Sequence, residues 1–230
     1  MWRRSNSSEE NRQQKLLRQF NCTLLPDGTY RTDGLKDRSV SGTVEIPYGV
    51  SEIGYKTFWR CEKITKIIIP ETVTVLGEYA FVGCVSLKSI ALPDSITTVR
   101  DGVFSNCQSL TEIEIPFNVE ALSDFAFSGC SGLKRLIIPR GVVSVGYETF
   151  RGCSSLTELT LPDTLERIGW RCFSECGALK ELDIPTGVRS VGEAVFADCD
   201  ALERVSAPSV KGYDWSPKWL DGCKAEIAYR

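Results

Sequence analysis

Ten cysteines carry the most versatile chemistry in this chain of 230 residues, because a thiol can form a disulfide, bind a metal or act as a nucleophile. Seven of them recur at a step of 23 residues: Cys61, Cys84, Cys107, Cys130, Cys153, Cys176 and Cys199. Equivalent side chains of stacked repeats point in the same direction, so neighbouring cysteines do not face each other as a disulfide requires. The series therefore predicts small, soft core residues that stay as free thiols in a reducing compartment.

Catalysis and metal binding find little support in the rest of the sequence. There is no histidine, which excludes Ser-His-Asp triads, Cys-His pairs and histidine-ligated metals. Cys172 and Cys176 would need ligands from neighbouring units to hold a metal, and the sequence has no C-x-x-C motif. Glu112 and Glu114 could act as an acid–base pair only if a pocket raised one pKa, and both alternate onto an open face. We predict no catalytic residue, no cofactor and no metal.

Charge is distributed unevenly along the chain. The first 20 residues hold five basic and two acidic side chains, so they carry +3 and residues 21–230 carry −6 of the net charge of −3. This start lacks the apolar core of a secretory signal, and no stretch of the chain approaches the ~20 apolar residues of a membrane span. The acidic body, without a nucleic-acid-binding motif, argues against a nucleic-acid partner. We expect no membrane span and a cytoplasmic location, with a surface location left open.

A repeat of 23 residues positions all these side chains. Its prolines are Pro47, Pro70, Pro93, Pro116, Pro139, Pro162, Pro185 and Pro208, and its phenylalanines are Phe58, Phe81, Phe104, Phe127, Phe150, Phe173 and Phe196. A constant period in this range marks a solenoid, in which each unit buries its apolar face against its neighbours. Seven full units span residues 47–207.

Each unit is predicted to contain three segments. The pattern Leu110-x-x-Ile113-x-Ile115 alternates apolar and polar residues, which is typical of a half-buried strand, and the following proline ends it. Val119 and Leu122 indicate a second short extended segment, and residues 124–130 a brief helical turn. The fold class is therefore an α/β repeat: a right-handed leucine-rich-repeat solenoid with parallel strands and short helical turns, capped at both ends.

The repeat resembles a known family. The unit IPETVTVLGEYAFVGCVSL (69–87) is similar to the BspA-like leucine-rich repeat, and the resemblance covers about residues 28–225. It implies a non-catalytic interaction module; members are often surface adhesins of bacteria and protists, and some are intracellular. Arg100 and Ser123 stand where other units have glycine, so we predict that this glycine position does not require a positive φ.

The predicted organisation has four parts: a basic polar tail (1–19), an N-terminal cap (20–46), seven repeats (47–207) and a C-terminal partial repeat with cap (208–230). Ser8 to Arg18 is expected to form a short helix with Ser8 as its N-cap. Trp215, Trp219 and Ile227 are expected to supply the C-terminal cap, because an open solenoid end would expose bare core and strand edge.

Candidate binding residues lie at variable, outward positions. Tyr147 and Trp170 occupy adjacent units at a position where other units carry an acid, and Phe125 is offset from them by one residue. Exposed aromatic residues often anchor protein interfaces. The predicted strand faces add acids and one exposed apolar residue: Glu112, Glu114, Ile137, Glu158, Glu181 and Asp183. The alternatives are that the aromatics pack over neighbouring coils and that the acids form an ordinary solvated face.

We therefore predict a protein-binding scaffold whose partner is another protein, with the chain as a possible subunit of a larger assembly. A surface or secreted adhesin that binds host protein or glycan is the alternative function. Oxidised cysteines or glycosylated asparagines would favour the adhesin, and free thiols would count against it.

Overall fold

The computed structural model describes residues 7–209 and 214–229, so Arg3 and Arg4 of the predicted basic tail lie outside the described residues. Within that part, helix α1 (Ser7–Leu17) confirms the predicted N-terminal helix, but Ser8 lies inside it rather than capping it. The helix lies against the start of the repeat, where Arg12 Nη2 donates to Glu45 Oε1 at 2.7 Å. No helix in the described part of the chain has the length and apolar character to cross a bilayer.

Between residues 7 and 229, leaving out 210–213, eighteen short strands make up the rest of the regular structure. In chain order they are β1 (Phe20–Leu24), β2 (Tyr30–Leu35), β3 (Gly42–Glu45), β4 (Val50–Ile53), β5 (Ile64–Ile68), β6 (Val75–Leu76), β7 (Ser89–Ala91), β8 (Thr98–Val99), β9 (Ala121–Leu122), β10 (Arg135–Ile137), β11 (Ser144–Val145), β12 (Glu158–Thr160), β13 (Arg167–Ile168), β14 (Glu181–Asp183), β15 (Ser190–Val191), β16 (Arg204–Ala207), β17 (Asp214–Trp215) and β18 (Glu226–Tyr229).

A ten-stranded sheet follows one face of the molecule in the order β1-β2-β4-β6-β8-β9-β11-β13-β15-β17. Its pairs are parallel except β1 with β2, which is antiparallel. Residues one repeat apart pair in register, as Val145 does with Ile168. Each turn of the chain therefore adds one strand, and about nine turns form a parallel β-solenoid, as the repeat predicted.

The second face is divided into three sheets, β3-β5-β7, β10-β12 and β14-β16-β18. The predicted strand at residues 110–115 alternates as expected, with Ile113 and Ile115 buried and the glutamates exposed, but it forms no ladder. At this coil the backbone bonds to the neighbouring coils are made at Thr111, whose N–H donates to Lys88 O at 3.4 Å. The alternation of residues fixes which side chains face the core, but it does not fix the spacing between coils.

The predicted short helical turns are wrong. The segments that precede the repeat cysteines are consecutive β-turns, whose N–H groups alternate between their own coil and the next one. Val82 N–H donates to Tyr79 O within its coil, whereas Phe81 N–H donates to Val103 O of the next coil at 2.9 Å. Tyr79 (φ 56°) and Gly83 (φ 73°) adopt left-handed backbone, which a continuous helix excludes. The three-residue spacing of apolar residues fits both structures, so it could not distinguish them.

Aromatic rings form the centre of the core. The seven repeat phenylalanines stack with neighbouring centroids 5.2–5.7 Å apart and rings within 5–17° of parallel. Phe20 contacts the first ring edge-on at 5.9 Å, and Trp219 contacts the last at 6.2 Å. The repeat cysteines and Cys172 are buried beside this stack, which confirms their prediction as core residues.

Close contact between coils explains the glycine that precedes the turn in five of the seven units. A Cβ on Gly169 would lie 2.4 Å from the backbone carbon of Gly146, and one on Gly77 would lie 2.7 Å from Ile53 O. Neither glycine has a positive φ, which confirms the prediction made from Arg100 and Ser123. The glycines are therefore required by packing rather than by backbone conformation.

Candidate binding site

The predicted binding residues fall into two groups on different faces. Tyr147 and Trp170 line a groove on the ten-stranded sheet, which we call the aromatic groove. The acidic candidates and Ile137 lie on the divided second face. Phe125 belongs to neither group, because it occupies a left-handed turn position (φ 59°) and is half-buried.

The aromatic groove has a volume of about 830 Å³ and runs across several coils. Two-residue strands β9, β11, β13 and β15 bring equivalent positions into register, so residues 23 apart in sequence become neighbours. Gly146, Gly169 and Gly192 line it without side chains, while Ser144 and Ser190 add small polar groups. The groove is therefore open and flat between its larger side chains.

Tyr147 and Trp170 are 55% and 41% exposed, so neither is covered by a neighbouring coil. The backbone N–H of Tyr147 donates to Asp124 Oδ1 at 2.8 Å, which fixes the start of its turn. The guanidinium of Arg171 lies 5.4 Å from the centre of the Trp170 ring. These contacts hold two adjacent aromatic side chains at the surface.

Arg171 is itself held by carboxylates. Its Nη2 lies 3.9 Å from Glu175 Oε1 and 4.0 Å from Asp198 Oδ2. Glu175 also receives a hydrogen bond from Arg151 Nε at 2.9 Å, and Arg151 pairs with Glu148 at 3.0 Å. A network of charges over three coils thus supports the residue that stacks on Trp170.

Carboxylates line one end of the aromatic groove. Glu78, Asp101 and Asp124 occupy the same position of three successive coils, and the last two line the groove. Burial raises the pKa of the Asp101 carboxyl, and the negative charges of Asp124 and Glu78 raise it further. Arg167 and Glu193 lie on the groove's lining as well. The groove therefore offers aromatic, cationic and anionic contacts to one ligand.

The acidic candidates line a second groove, of about 620 Å³, on the divided face. It lies between β12 and β14, which belong to separate sheets, and Glu158, Glu181 and Asp183 are among its lining residues. Arg204 pairs with Glu181 at 3.6 Å, although both side chains are largely exposed. This acidic groove thus contains a charge pair between two neighbouring strands, as an ordinary solvated face would.

The remaining candidates lie on the same face nearer the N-terminus. Glu112 and Glu114 flank a shallow surface that also contains Lys66 and Ile68. Ile137 is 72% exposed at the end of β10.

Among the described residues, no group of three or more cysteine or carboxylate side chains is arranged to hold a metal ion.

One cluster was missed by the sequence analysis. Its members are three aromatic and three cationic side chains at the start of the repeat, here called the basic aromatic patch: Arg38, Tyr55, Lys56, Trp59, Arg60 and Tyr79. Tyr55 occupies the same position of its repeat as Tyr147. The sequence feature that could have revealed the cluster is the spacing of its aromatic residues, Tyr55, Trp59 and Tyr79, which the turns bring close together.

Comparison with known proteins agrees with this architecture. The model of the BspA-type leucine-rich-repeat region matches residues 39–146 and 120–213 in six copies. The chain belongs to this family. Comparison with curated proteins gave no match.

Two solved leucine-rich-repeat structures share this fold. A leucine-rich repeat protein of T. pallidum is 26% identical, with a TM-score of 0.75 over 93% of this chain and 98% of that one. A leucine-rich repeat protein of Bacteroides ovatus is 24% identical, with a TM-score of 0.66 over 92% of this chain and 75% of that one. Both structures support the leucine-rich-repeat fold, and the family model confirms the BspA-like resemblance read from the repeat.

Proposed function

We propose that this BspA-type protein is a non-catalytic scaffold and that a partner protein docks over the aromatic groove. Leucine-rich-repeat families are generally protein-interaction scaffolds. The observation that carries the proposal is the pair of exposed aromatics, Tyr147 and Trp170, held side by side over a glycine-lined surface. Large aromatic side chains contribute most of the binding energy at many protein interfaces.

Rigidity supports a binding role. The stacked phenylalanines and the in-register strands fix the position of each coil, and Arg171 restrains the Trp170 ring. A surface that is already ordered loses little conformational entropy when a partner binds. The groove would therefore act through its shape and its exposed side chains, without a chemical step.

The ends of the solenoid are proposed to be capped by the elements that contact the terminal rings. At one end, Phe20 of the antiparallel strand β1 covers Phe58. At the other, Trp219 covers Phe196 and contacts Trp215 edge-on at 5.0 Å. Ile227 of β18 packs against the core beside them.

We propose the acidic groove as a second binding surface, through which the scaffold could join a larger assembly.

We propose a reducing, intracellular location on the basis of the thiols. All ten cysteines are free, and six of the repeat thiols donate to backbone carbonyls, which only the reduced form can do. To test this proposal, protein isolated from its native source is denatured in the presence of an alkylating reagent, and the alkylated cysteines are counted by mass spectrometry. Disulfides or glycosylated asparagines in that material would instead support the adhesin function.

The docking proposal is tested by affinity purification with quantitative mass spectrometry. Wild-type bait is compared with Tyr147→Ala/Trp170→Ala and with the control Leu24→Ala/Phe117→Ala, which removes two side chains that are each 62% exposed outside the groove. We expect one protein to be captured in near-stoichiometric amounts by wild type and control, and lost with the groove variant. Equal capture by all three baits would contradict the proposal, as would the absence of any stoichiometric protein.

A further inference from the structure

The basic aromatic patch concentrates positive charge around a single ring. The centroid of Trp59 lies 5.6 Å from the Arg38 guanidinium carbon, and 5.5 Å from both Lys56 Nζ and the Arg60 guanidinium carbon. Lys56 Nζ also lies 4.9 Å from the Tyr55 ring and 5.8 Å from that of Tyr79. Ring faces attract cations, which accounts for the convergence of three like charges.

The patch is held in shape by its backbone and by ring contacts. Arg38 Nη1 donates to the carbonyl oxygen of Trp59 at 2.7 Å. Tyr55 and Tyr79 meet edge-to-face at 6.3 Å. Lys56 and Arg60 both occupy left-handed turn positions, with φ of 54° and 53°, which fixes the direction of their side chains. Tyr55 (57%) and Trp59 (40%) are nevertheless exposed.

The three cations lack carboxylate partners within the described residues. Ion pairs within 4 Å involve other arginines, such as Arg12, Arg31 and Arg151, but not Arg38, Lys56 or Arg60. Asp37, the acid next to Arg38 in the sequence, accepts hydrogen bonds from Ser39 instead. Three neighbouring positive charges repel one another, so an anion placed among them would be stabilised by all three.

We propose that the basic aromatic patch binds an acidic segment of a partner protein. Two or three carboxylates of the segment would be held by Arg38, Lys56 and Arg60, while its apolar side chains pack on Tyr55 and Trp59. Guanidinium groups form strong, charge-assisted hydrogen bonds with carboxylates, and aromatic rings supply the apolar contact that fixes the segment. This surface is separate from the aromatic groove, so the proposal does not rest on the function proposed above.

The surroundings of the patch favour a short acidic segment over a long polyanion. In the row of Tyr55, the next three coils carry Glu78, Asp101 and Asp124. Neighbouring coils lie about 4.8 Å apart, so the patch spans roughly 10 Å, which matches about three residues of extended peptide. A nucleic acid that continued along the solenoid would meet these carboxylates, which would repel its phosphates.

Fluorescence anisotropy with a defined probe tests the proposal. The probe is an eight-residue peptide of alternating glutamate and leucine, labelled with tetramethylrhodamine, and its control carries glutamine in place of glutamate. The variant Lys56→Gln/Arg60→Gln is compared with Lys88→Gln/Arg189→Gln. Both pairs remove two positive charges, and Lys88 and Arg189 are exposed outside the patch. Circular dichroism of each variant verifies the fold.

We expect wild type and the Lys88/Arg189 variant to bind the glutamate peptide equally, and the Lys56/Arg60 variant to bind it at least about tenfold more weakly. The glutamine peptide should not bind. Equal weakening in both variants would reduce the effect to net charge and overturn the proposal, and so would an absence of binding to wild type. Tighter binding of a labelled twelve-nucleotide oligothymidylate, lost in the same variant, would assign the patch to nucleic acid instead.

Discussion

The Cys130 thiol donates a hydrogen bond to the backbone carbonyl of Phe104, 26 residues earlier, with Sγ and O 3.1 Å apart. The same contact recurs in the neighbouring coils, as from Cys107 to Phe81 and from Cys153 to Phe127. The cysteine therefore does more than fill a small site. In six coils it joins the coil to the preceding one, at the backbone carbonyl of the stacked phenylalanine.

Burial of these thiols predicts a loss of stability at alkaline pH. Burial raises the pKa of three thiols to about 12 from an ordinary value of 9.0; they are those of Cys84, Cys130 and Cys199. Above pH 9 the unfolded chain ionises its thiols while the folded chain keeps the protons, so stability decreases as pH rises towards 12. Each such thiol contributes a slope of up to about 1.4 kcal/mol per pH unit. Urea unfolding at pH values from 7 to 10.5 measures how the free energy of unfolding depends on pH. Cys130→Ala should make that dependence weaker. A free energy of unfolding that stays constant over this range would contradict the burial of the thiols.

The same thiols should react slowly in the native state. At pH 8, Ellman's reagent should modify Cys22 and Cys223 first, because these two are half-buried near opposite ends of the chain. The eight buried thiols should react fully only after denaturation. Rapid modification of the repeat cysteines in the folded protein, mapped by mass spectrometry, would show that the coils open readily.

Truncation of a stacked ring should destabilise the solenoid strongly. Phe127 is fully buried between Phe104 and Phe150, at 5.4 and 5.5 Å. Phe127→Ala should lower the free energy of unfolding by about 3–5 kcal/mol, as measured in urea. Phe117→Ala, at an exposed position, is the control and should change it by less than about 0.5 kcal/mol. A small effect at Phe127 would place its ring outside the core.

The close approach of coils predicts different outcomes at two glycines. Gly169→Ala would place a methyl group against the backbone of Gly146, so we expect a loss of about 1–3 kcal/mol. Gly177→Ala meets no atom within 4 Å and has no positive φ, so its stability should be nearly unchanged. Thermal unfolding of both variants compares them, and equal melting temperatures would contradict the packing explanation.

Removal of the aromatic residue at the C-terminal end should loosen the last coils first. Trp219 is buried against Phe196, and its loss would expose that ring. In a repeat protein each coil is stabilised mainly by its neighbours. Trp219→Ala should therefore increase hydrogen exchange in β14 and β16 while β6 and β8 stay protected. Uniform protection along the chain would remove the capping role.

Repetition made most of the fold predictable. The 23-residue spacing of proline, phenylalanine and cysteine predicted the parallel solenoid, its core and its family. It could not distinguish a helical turn from paired β-turns, because the hydrogen bonds that separate them run to a residue about 22 positions later, as from Phe81 to Val103. It also could not show that residues 112–114 form no ladder with the neighbouring strands.

The candidate site was predictable to a lesser extent. Equivalent positions in adjacent units become neighbours in any solenoid, so the pairing of Tyr147 with Trp170 followed from their spacing. Phe125, one residue out of that row, lies elsewhere because successive turn positions point in different directions. The basic aromatic patch joins residues from four different rows and Arg38, which precedes the repeat. Left-handed turns at Lys56 and Arg60, and the hydrogen bond from Arg38 to Trp59, bring them together.

The two faces of the solenoid differ in mechanical stiffness. The ten-stranded sheet is an uninterrupted strip of hydrogen bonds, whereas the opposite face is cut at residues 112–114 and again between β12 and β14. We expect a tensile load along the axis to be carried by this sheet and by the inter-coil hydrogen bonds of the turns, and bending to concentrate at the two interruptions. The face with these two interruptions should be the more flexible of the two, so bending would most affect a partner bound there.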